Sequence, residues 1–206
     1  MICRQRKGKA NGIPILIYGE ESEKVVLFLH GRTGDKREAN PFADTFAEAG
    51  YQVVSYDIFG AEGREMPETP GRIEDKTVEG NAVKDLQSVY GYCRERWQQV
   101  VVFGHSMGSY LCQMALQKEA PDRCLFVSPI YDGTWNTGIL PVSEWHCPTA
   151  VLYGGKDQLQ RRQPVEQFAQ TFGASLTVIE ESGHFFAQDG FGGDVLRWIT
   201  TVLSHG

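Results

Sequence analysis

Residues 102–108 read Val-Phe-Gly-His-Ser-Met-Gly and place Ser106 at the centre of a Gly-x-Ser-x-Gly pattern. An apolar run, 100–103, precedes the serine, and a helix-compatible stretch, 109–118, follows it. A strand, a sharp turn and a helix in this order hold a nucleophilic serine at the bend. The two glycines occupy positions where side chains would keep strand and helix apart. The stretch therefore predicts Ser106 as a nucleophile on a strand–turn–helix unit.

A base and an orienting acid are predicted downstream of the serine. A serine hydroxyl is a weak nucleophile until a base takes its proton, and a carboxylate orients that base. Asp157 follows the β-branched, apolar run 149–153, and His184 follows the strand-like run 175–180. Side chains placed just after parallel strands converge at one edge of the sheet, where ligands bind. The chain order serine, aspartate, histidine is the order expected for this serine turn.

Two further aspartates bear on this assignment. Asp132 is the rival orienting acid, because it follows the preceding predicted strand by a few residues. Asp189 is expected to begin the last helix, since aspartate is favoured at helix N-termini.

These motifs resemble the α/β-hydrolase superfamily in its small, esterase-like form. The resemblance extends from Ile13 to Leu203, and it rests on four short segments: Leu29-His30-Gly31, residues 104–108, Gly154-Gly155-Lys156-Asp157 and Ser182-Gly183-His184. It implies an acyl-enzyme mechanism. It leaves the substrate open, because this fold carries many chemistries.

Two backbone N–H groups are expected to stabilise the oxyanion that forms during acyl transfer. One belongs to Met107, at the N-terminus of the helix after the nucleophile. The resemblance implies Arg32 as the second, after the family's His-Gly turn. The Arg32 side chain then has two interpretations. It points to solvent or pairs with Asp35 or Asp57, or it meets a carboxylate or polar group of the substrate.

Strand-like and helix-like segments alternate along the chain, which predicts βαβ units and a mostly parallel sheet of about seven strands with helices on both faces. At 206 residues, one domain over residues 1–206 is expected. The predicted strands are 13–18, 25–30, 52–56, 100–105, 124–128, 149–154 and 175–180. The predicted helices are 37–49, 76–97, 107–119, 161–172 and 189–204.

The pocket is predicted to be open, because the interval 128–148 is too short for a lid domain. This loop and the loop 57–75 are expected to wall the pocket. Ordinary surface or core packing is the alternative for each candidate wall residue. The candidates are Phe59, Tyr131, Trp135, Trp145 and Phe185.

The remaining histidines are assigned structural places. His30 and His105 flank the pocket and are expected to hydrogen-bond loops into place. His146 is predicted in a loop and His205 in the chain's tail.

Composition excludes several classes of function. The net charge is −6, and the sequence has no basic stripe. Nucleic-acid binding is therefore not expected. The basic residues near the N-terminus (Arg4, Arg6, Lys7 and Lys9) are expected to be a solvated terminus. No apolar run approaches the roughly 20 residues that span a bilayer. Five scattered cysteines indicate free thiols in a reducing compartment, and therefore a cytoplasmic location.

The sequence thus predicts a serine hydrolase that cleaves a small carboxylic ester without a cofactor or metal. A thioesterase, an acyltransferase or perhydrolase on the same three residues, and a non-catalytic ligand-binding protein are the alternatives. The oligomeric state is left open.

Overall fold

A computed structural model describes residues 4–58, 76–116, 119–130 and 147–204, with residues 76–81 given by their backbone alone. Eight strands form one sheet in the order β1-β2-β4-β3-β5-β6-β7-β8. Their bounds are β1 Gln5–Ala10, β2 Ile13–Tyr18, β3 Lys24–Leu29, β4 Gln52–Tyr56, β5 Gln99–His105, β6 Arg123–Val127, β7 Thr149–Gly154 and β8 Ser175–Ile179.

The sheet is mostly parallel, as the alternating pattern predicted. Every neighbouring pair among the six strands from β3 to β8 is parallel, whereas β2 pairs antiparallel with both β1 and β4. The central strands are covered on both faces, which explains why β3 and β5 read as continuous apolar runs rather than as alternating ones. The predicted fold class is confirmed.

The edge strand β1 was not predicted. Its sequence, Gln-Arg-Lys-Gly-Lys-Ala, lacks apolar alternation because most of its side chains are exposed. Asn11 and Gly12 connect it to β2 with φ values of 50° and 90°. Positive φ at both central residues characterises the tight turns that match the twist of a hairpin. The four basic residues that were expected in a solvated terminus are exposed here, three of them on β1.

Helices cover both faces of the sheet. They are α1 Asn40–Glu48, α2 Lys76–Arg96, α3 Met107–Ala115, α4 Arg162–Phe172 and α5 Gly192–Ser204, and a 3₁₀ helix, Lys36–Ala39, precedes α1. Buried residues of α2, α3 and α4, such as Leu86, Leu111 and Phe168, pack on one face. Phe46 of α1 and Trp198 of α5 pack on the other face.

The start of the last helix differs from the prediction. Helix α5 begins at Gly192, not at Asp189. Asp189 instead accepts a 2.7 Å hydrogen bond from the backbone N–H of Gly183, through Oδ2. The carboxylate thus ties down the turn just before His184 rather than the N-terminus of a helix.

Candidate active site

Ser106 occupies a strained turn between β5 and α3. Its φ and ψ are 48° and −111°, a conformation that residues with a side chain rarely adopt. Its carbonyl oxygen accepts hydrogen bonds from the backbone N–H and the hydroxyl of Ser109, at 3.0 and 2.6 Å. Its own N–H donates to the carbonyl of Val127 at 2.9 Å. The first turn of α3 and the end of β6 therefore hold the serine at the bend.

The two glycines around Ser106 are required by close packing. A Cβ on Gly104 would lie 2.9 Å from the backbone N and Cα of Ser109. A Cβ on Gly108 would overlap the carbonyl oxygen of Leu29, at the end of β3. The close approach of strand and helix that the Gly-x-Ser-x-Gly pattern predicted is present on both sides of the serine.

Asp157 and His184 are brought together as predicted. Nδ1 of His184 lies 2.8 Å from Oδ2 of Asp157, and the side chains are 5% and 0% exposed. The other carboxylate oxygen accepts from the N–H groups of Leu159 and Gln160, at 2.8 and 2.9 Å. Burial alone would raise the pKa of Asp157, but the hydrogen bond and charge of His184 and these N–H groups together leave that pKa below its ordinary value.

The loops that carry these two residues fit closely because glycines meet at their contact. A Cβ on Gly154 would overlap the carbonyl oxygen of Gly183. The N–H of Lys156 donates to the carbonyl of Ser182 at 2.8 Å. This backbone contact fixes the separation of the aspartate and the histidine. The rival acid, Asp132, lies outside the described residues.

Ser106 and His184 both line a cavity of about 380 Å³. Its described lining is mainly apolar and comes from the loop 31–34, from α1, from the ends of β5 and β6, and from the segment between β8 and α5. The apolar lining includes Pro41, Phe42, Phe103, Val127, Phe186 and Val195. Helices α1 and α5 therefore contribute much of the wall, a contribution that sequence analysis missed.

One of the predicted aromatic wall residues lines the cavity. Phe185 is 39% exposed, and its ring meets that of His184 edge to face, with the ring centroids 4.9 Å apart. Phe59, Tyr131, Trp135 and Trp145 lie outside the described residues.

The loop after β3 is held by His30. Its Nε2 accepts from the backbone N–H of Ile58 at 2.9 Å, so Nδ1 carries the proton and donates to the Gly31 carbonyl at 2.6 Å. Burial lowers the pKa of His30, against the raising effects of this carbonyl and of nearby carboxylates. The neutral ring thus joins this loop to the segment after β4, as expected.

The two residues expected to donate to the oxyanion lie beside Ser106 and at the cavity wall. Met107 is the first residue of α3 and is buried. Arg32 is half-buried and lines the cavity. The carboxylates considered as partners for its side chain bind neighbouring cations: Asp35 accepts from Arg37 at 2.5 Å, and Asp57 accepts from Lys36 at 2.5 Å.

A second carboxylate–imidazole pair lies beside the first, and sequence analysis did not identify its acid. Oε1 of Glu38 is 2.8 Å from Nδ1 of His105, and both residues line the cavity. The rings of His105 and His184 are 5.3 Å apart between centroids. The sequence held two signals for this pair. Glu38 stands seven residues after Gly31, and His105 directly precedes the nucleophile.

Across residues 4–58, 76–116, 119–130 and 147–204, no group of three or more His, Cys, Asp or Glu side chains is arranged to hold a metal ion. Within the same ranges, no helix is long and apolar enough to cross a membrane.

Known proteins share this architecture. The TT1662 protein of Thermus thermophilus matches with a TM-score of 0.77 and 18% identity, over 98% of this chain and 99% of its own. Est1E of Butyrivibrio proteoclasticus matches with a TM-score of 0.75 and 15% identity, over 98% of each chain. At these identities the likeness shows the fold.

Sequence comparison shows the family. A thermostable monoacylglycerol lipase of Bacillus sp. (strain H-257) is 31% identical over 107 residues, which are 52% of this chain and 40% of that lipase. The chain thus matches less than half the length of this relative. The family model described as serine aminopeptidase, S33, matches residues 20–146, more than half of the chain. The chain belongs to this S33 family of α/β-hydrolases.

Proposed function

We propose that this protein is a serine hydrolase that cleaves small carboxylic esters through an acyl-enzyme on Ser106. The observation that carries the proposal is the 2.8 Å hydrogen bond between Asp157 and His184, at a cavity that Ser106 also lines. A nucleophile on a strained turn, an oriented histidine and an apolar cavity together match the needs of acyl transfer.

In the proposed reaction, Nδ1 of His184 is engaged by Asp157, which leaves Nε2 to take the proton from the Ser106 hydroxyl. Asp157 holds the productive tautomer and stabilises the imidazolium. The serine oxygen attacks the ester carbonyl, and the resulting oxyanion accepts hydrogen bonds from backbone N–H groups. Their donors are Met107 and Arg32.

The tetrahedral intermediate then collapses, and His184 returns its proton to the departing alcohol. A water molecule, deprotonated by the same histidine, attacks the acyl-enzyme and releases the acid. Buried Asp157 remains ionised throughout, because its pKa lies below the ordinary value. The chemistry uses the chain's own side chains and backbone, with no cofactor or metal.

The cavity supports a small, apolar ester as the substrate. Its 380 Å³ lies near the lower end of the range for ligand pockets, about 300 to 1,000 Å³. Phe42, Phe103 and Val195 present apolar surface to a bound chain. The relative named as a monoacylglycerol lipase adds support for ester chemistry. We expect acyl groups of about two to six carbons to be preferred.

Amide hydrolysis is a second candidate, because the matching family model is described as a serine aminopeptidase. An aminopeptidase needs an acidic group for the free amine of its substrate. Among the cavity-lining residues that the structure describes, Glu38 is the acidic one, and its carboxylate is engaged by His105 and Gly31.

A fluorophosphonate probe tests the proposal directly. We expect wild-type protein to form one covalent adduct, mapped to Ser106 by mass spectrometry, and to cleave p-nitrophenyl acetate and butyrate. Ser106→Ala should lose both reactions and keep its melting temperature. Ser204→Ala, at the exposed end of α5, is the control and should retain both. Labelling that persists in Ser106→Ala would exclude this serine as the nucleophile.

Ester and amide hydrolysis are separated by a second panel. We would compare alanine and leucine p-nitroanilides with the matching p-nitrophenyl esters. Because esters are intrinsically more reactive than amides, only a peptidase would cleave the p-nitroanilides faster. Faster amide turnover would therefore contradict the ester proposal.

A further inference from the structure

Glu38 joins two parts of the candidate active site that are far apart in the sequence. It lies in the 3₁₀ helix Lys36–Ala39, and its carboxylate reaches back over the preceding loop. Oε2 accepts from the backbone N–H of Gly31 at 3.2 Å, and Oε1 lies 2.8 Å from Nδ1 of His105. Gly31 precedes the expected oxyanion donor Arg32, and His105 precedes Ser106. One carboxylate thus connects the oxyanion loop to the nucleophile turn.

The glycines of this loop leave room for the connection. A Cβ on Gly34 would overlap the Oε2 atom of Glu38. A Cβ on Gly31 would come within 3.0 Å of Nδ1 of His105. A side chain at either position would press against the carboxylate or the imidazole.

Hydrogen bonds to the Gly31 carbonyl determine where the Arg32 N–H points. The Gly31 carbonyl accepts from Nδ1 of His30 at 2.6 Å and from the N–H of Gly34 at 3.1 Å. In a trans peptide the N–H points opposite to the carbonyl, so the Arg32 N–H faces away from these donors. Glu38 fixes the preceding peptide through the Gly31 N–H. Rotation of either peptide would turn the donor away.

The electrostatics of Glu38 agree with this arrangement. Its side chain is 26% exposed and that of His105 is 15% exposed. Burial raises the pKa of Glu38, but the hydrogen bond and charge of His105 and the hydrogen bond of the Gly31 N–H outweigh burial and leave the pKa below its ordinary value. An ionised carboxylate makes both hydrogen bonds stronger than neutral ones.

We propose that Glu38 and His105 form a positioning pair that holds the oxyanion donor of Arg32 at a fixed distance from Ser106 and Met107. The inference rests on the proposed function, because it concerns the same acyl transfer. Neither residue exchanges a proton with the substrate. Their contribution is geometric, and it is greatest in the transition state, where charge on the carbonyl oxygen is highest.

Three variants and a control test the pair. Glu38→Ala removes the connection, Glu38→Gln keeps its shape and one acceptor oxygen, and His105→Phe keeps a ring without a hydrogen bond. Glu48→Ala, at the exposed end of α1, removes a carboxylate away from the cavity. For each protein we would measure kcat and KM with p-nitrophenyl butyrate, inhibition by butylboronic acid, fluorophosphonate labelling and the melting temperature.

We expect Glu38→Ala to lower kcat by about 10- to 100-fold, with KM changed by less than about threefold, because a misplaced donor acts mainly on the transition state. The inhibition constant of the boronic acid, whose serine adduct is tetrahedral, should rise by the factor by which kcat/KM falls. Glu38→Gln should recover part of the loss. Glu48→Ala should match wild type.

The double variant Glu38→Ala, His105→Phe distinguishes a pair from two independent residues. If both act through one connection, it loses no more than the worse single variant. Multiplying losses would overturn the inference, as would a Glu38→Ala variant with wild-type kcat and boronic acid affinity, whatever its melting temperature. Wild-type protein that is not labelled at Ser106 would overturn the proposed function itself, so the two failures are distinguishable.

Discussion

Asp157–His184 and Glu38–His105 are two carboxylate–imidazole pairs of the same length, 2.8 Å between nitrogen and oxygen, with their rings 5.3 Å apart. They differ in what the second carboxylate oxygen binds. That of Asp157 accepts from two N–H groups of its own turn, at Leu159 and Gln160.

The second oxygen of Glu38 binds the N–H of Gly31, seven residues earlier and in another loop. The side chain of Asp157 is also 0% exposed, whereas that of Glu38 is 26% exposed. The first acid is therefore held by its own turn, and the second is held by a segment earlier in the chain.

The role of a carboxylate–imidazole pair follows from its remaining contacts. A buried pair whose acid is satisfied locally suits proton transfer, since it can stabilise an imidazolium without moving. A pair whose acid holds a loop suits positioning. We therefore propose unequal catalytic roles for His184 and His105, although both line the cavity beside Ser106.

Matched amide substitutions give the largest expected effect and test the comparison most directly. Asp157→Asn should lower kcat by up to about 10⁴-fold, because the amide favours the wrong histidine tautomer. Glu38→Gln should lose at least a hundredfold less, since geometry alone is perturbed. Steady-state kinetics with p-nitrophenyl butyrate measure both. Equal losses would mean that the two pairs do the same work.

The places of Ser106, Asp157 and His184 could be predicted because each stands next to the end of a strand. Apolar runs mark those strands, and a parallel sheet brings their carboxyl ends to one edge. The glycines beside them, such as Gly108 and Gly154, also marked close backbone contacts that the structure contains. The catalytic roles remain predictions.

Glu38 could not be predicted in the same way. Its contact with His105 spans 67 residues and depends on a loop folding back over a 3₁₀ helix. The hydrophobic periodicity of a sequence does not indicate a side-chain contact of this kind. The helical residues of the cavity wall were missed for a related reason. Amphipathic patterns place Phe42 and Val195 on helices, but they do not show where two helices leave a cavity between them.

Strand β1 is a different kind of omission. Its charged side chains hide it from any search for apolar alternation, since an exposed edge strand needs none. The Asn11-Gly12 dipeptide was nevertheless a strong hairpin signal. Turn chemistry would have found this strand where hydrophobicity could not.

A substitution at Gly34 should disturb Glu38 with a smaller effect on catalysis. Gly34→Ala places a methyl group against the Glu38 carboxylate, so it should displace the positioning pair and lower kcat by about 10-fold. Gly91→Ala is the control, because its new methyl group on α2 meets nothing within 4 Å. We expect it to keep kcat and to stabilise the fold by about 0.5–1 kcal/mol. An unchanged kcat in Gly34→Ala would contradict a role of Glu38 in supporting catalysis.

The contribution of each pair to folding stability should fall in acid, although we expect the two pairs to contribute unequally to catalysis. The folded pKa values of Asp157 and Glu38 are both lowered, so each carboxylate contributes stability that is complete above its unfolded pKa, about 4, and is lost as pH falls through the folded value. Asp157→Asn and Glu38→Gln should therefore lose their stability deficit relative to wild type as the solution is acidified. Urea unfolding at pH 7 and pH 3 measures this. A deficit that grows in acid would contradict the direction of both shifts.

The smallest expected effect concerns the residue whose backbone the second pair positions. Arg32→Ala keeps the N–H proposed as an oxyanion donor, and the peptide before it stays fixed by His30 and Gly34. With a neutral ester, kcat/KM should therefore stay within about threefold of wild type, in contrast to Glu38→Ala, which leaves residue 32 intact and releases the Gly31 N–H that Glu38 holds. A succinate half-ester serves as the comparison substrate. Loss confined to that anionic substrate would assign the guanidinium a substrate contact and leave the positioning role unchanged. A loss of tenfold or more with the neutral ester would mean that the side chain of Arg32, and not the orientation of its N–H, supports the reaction.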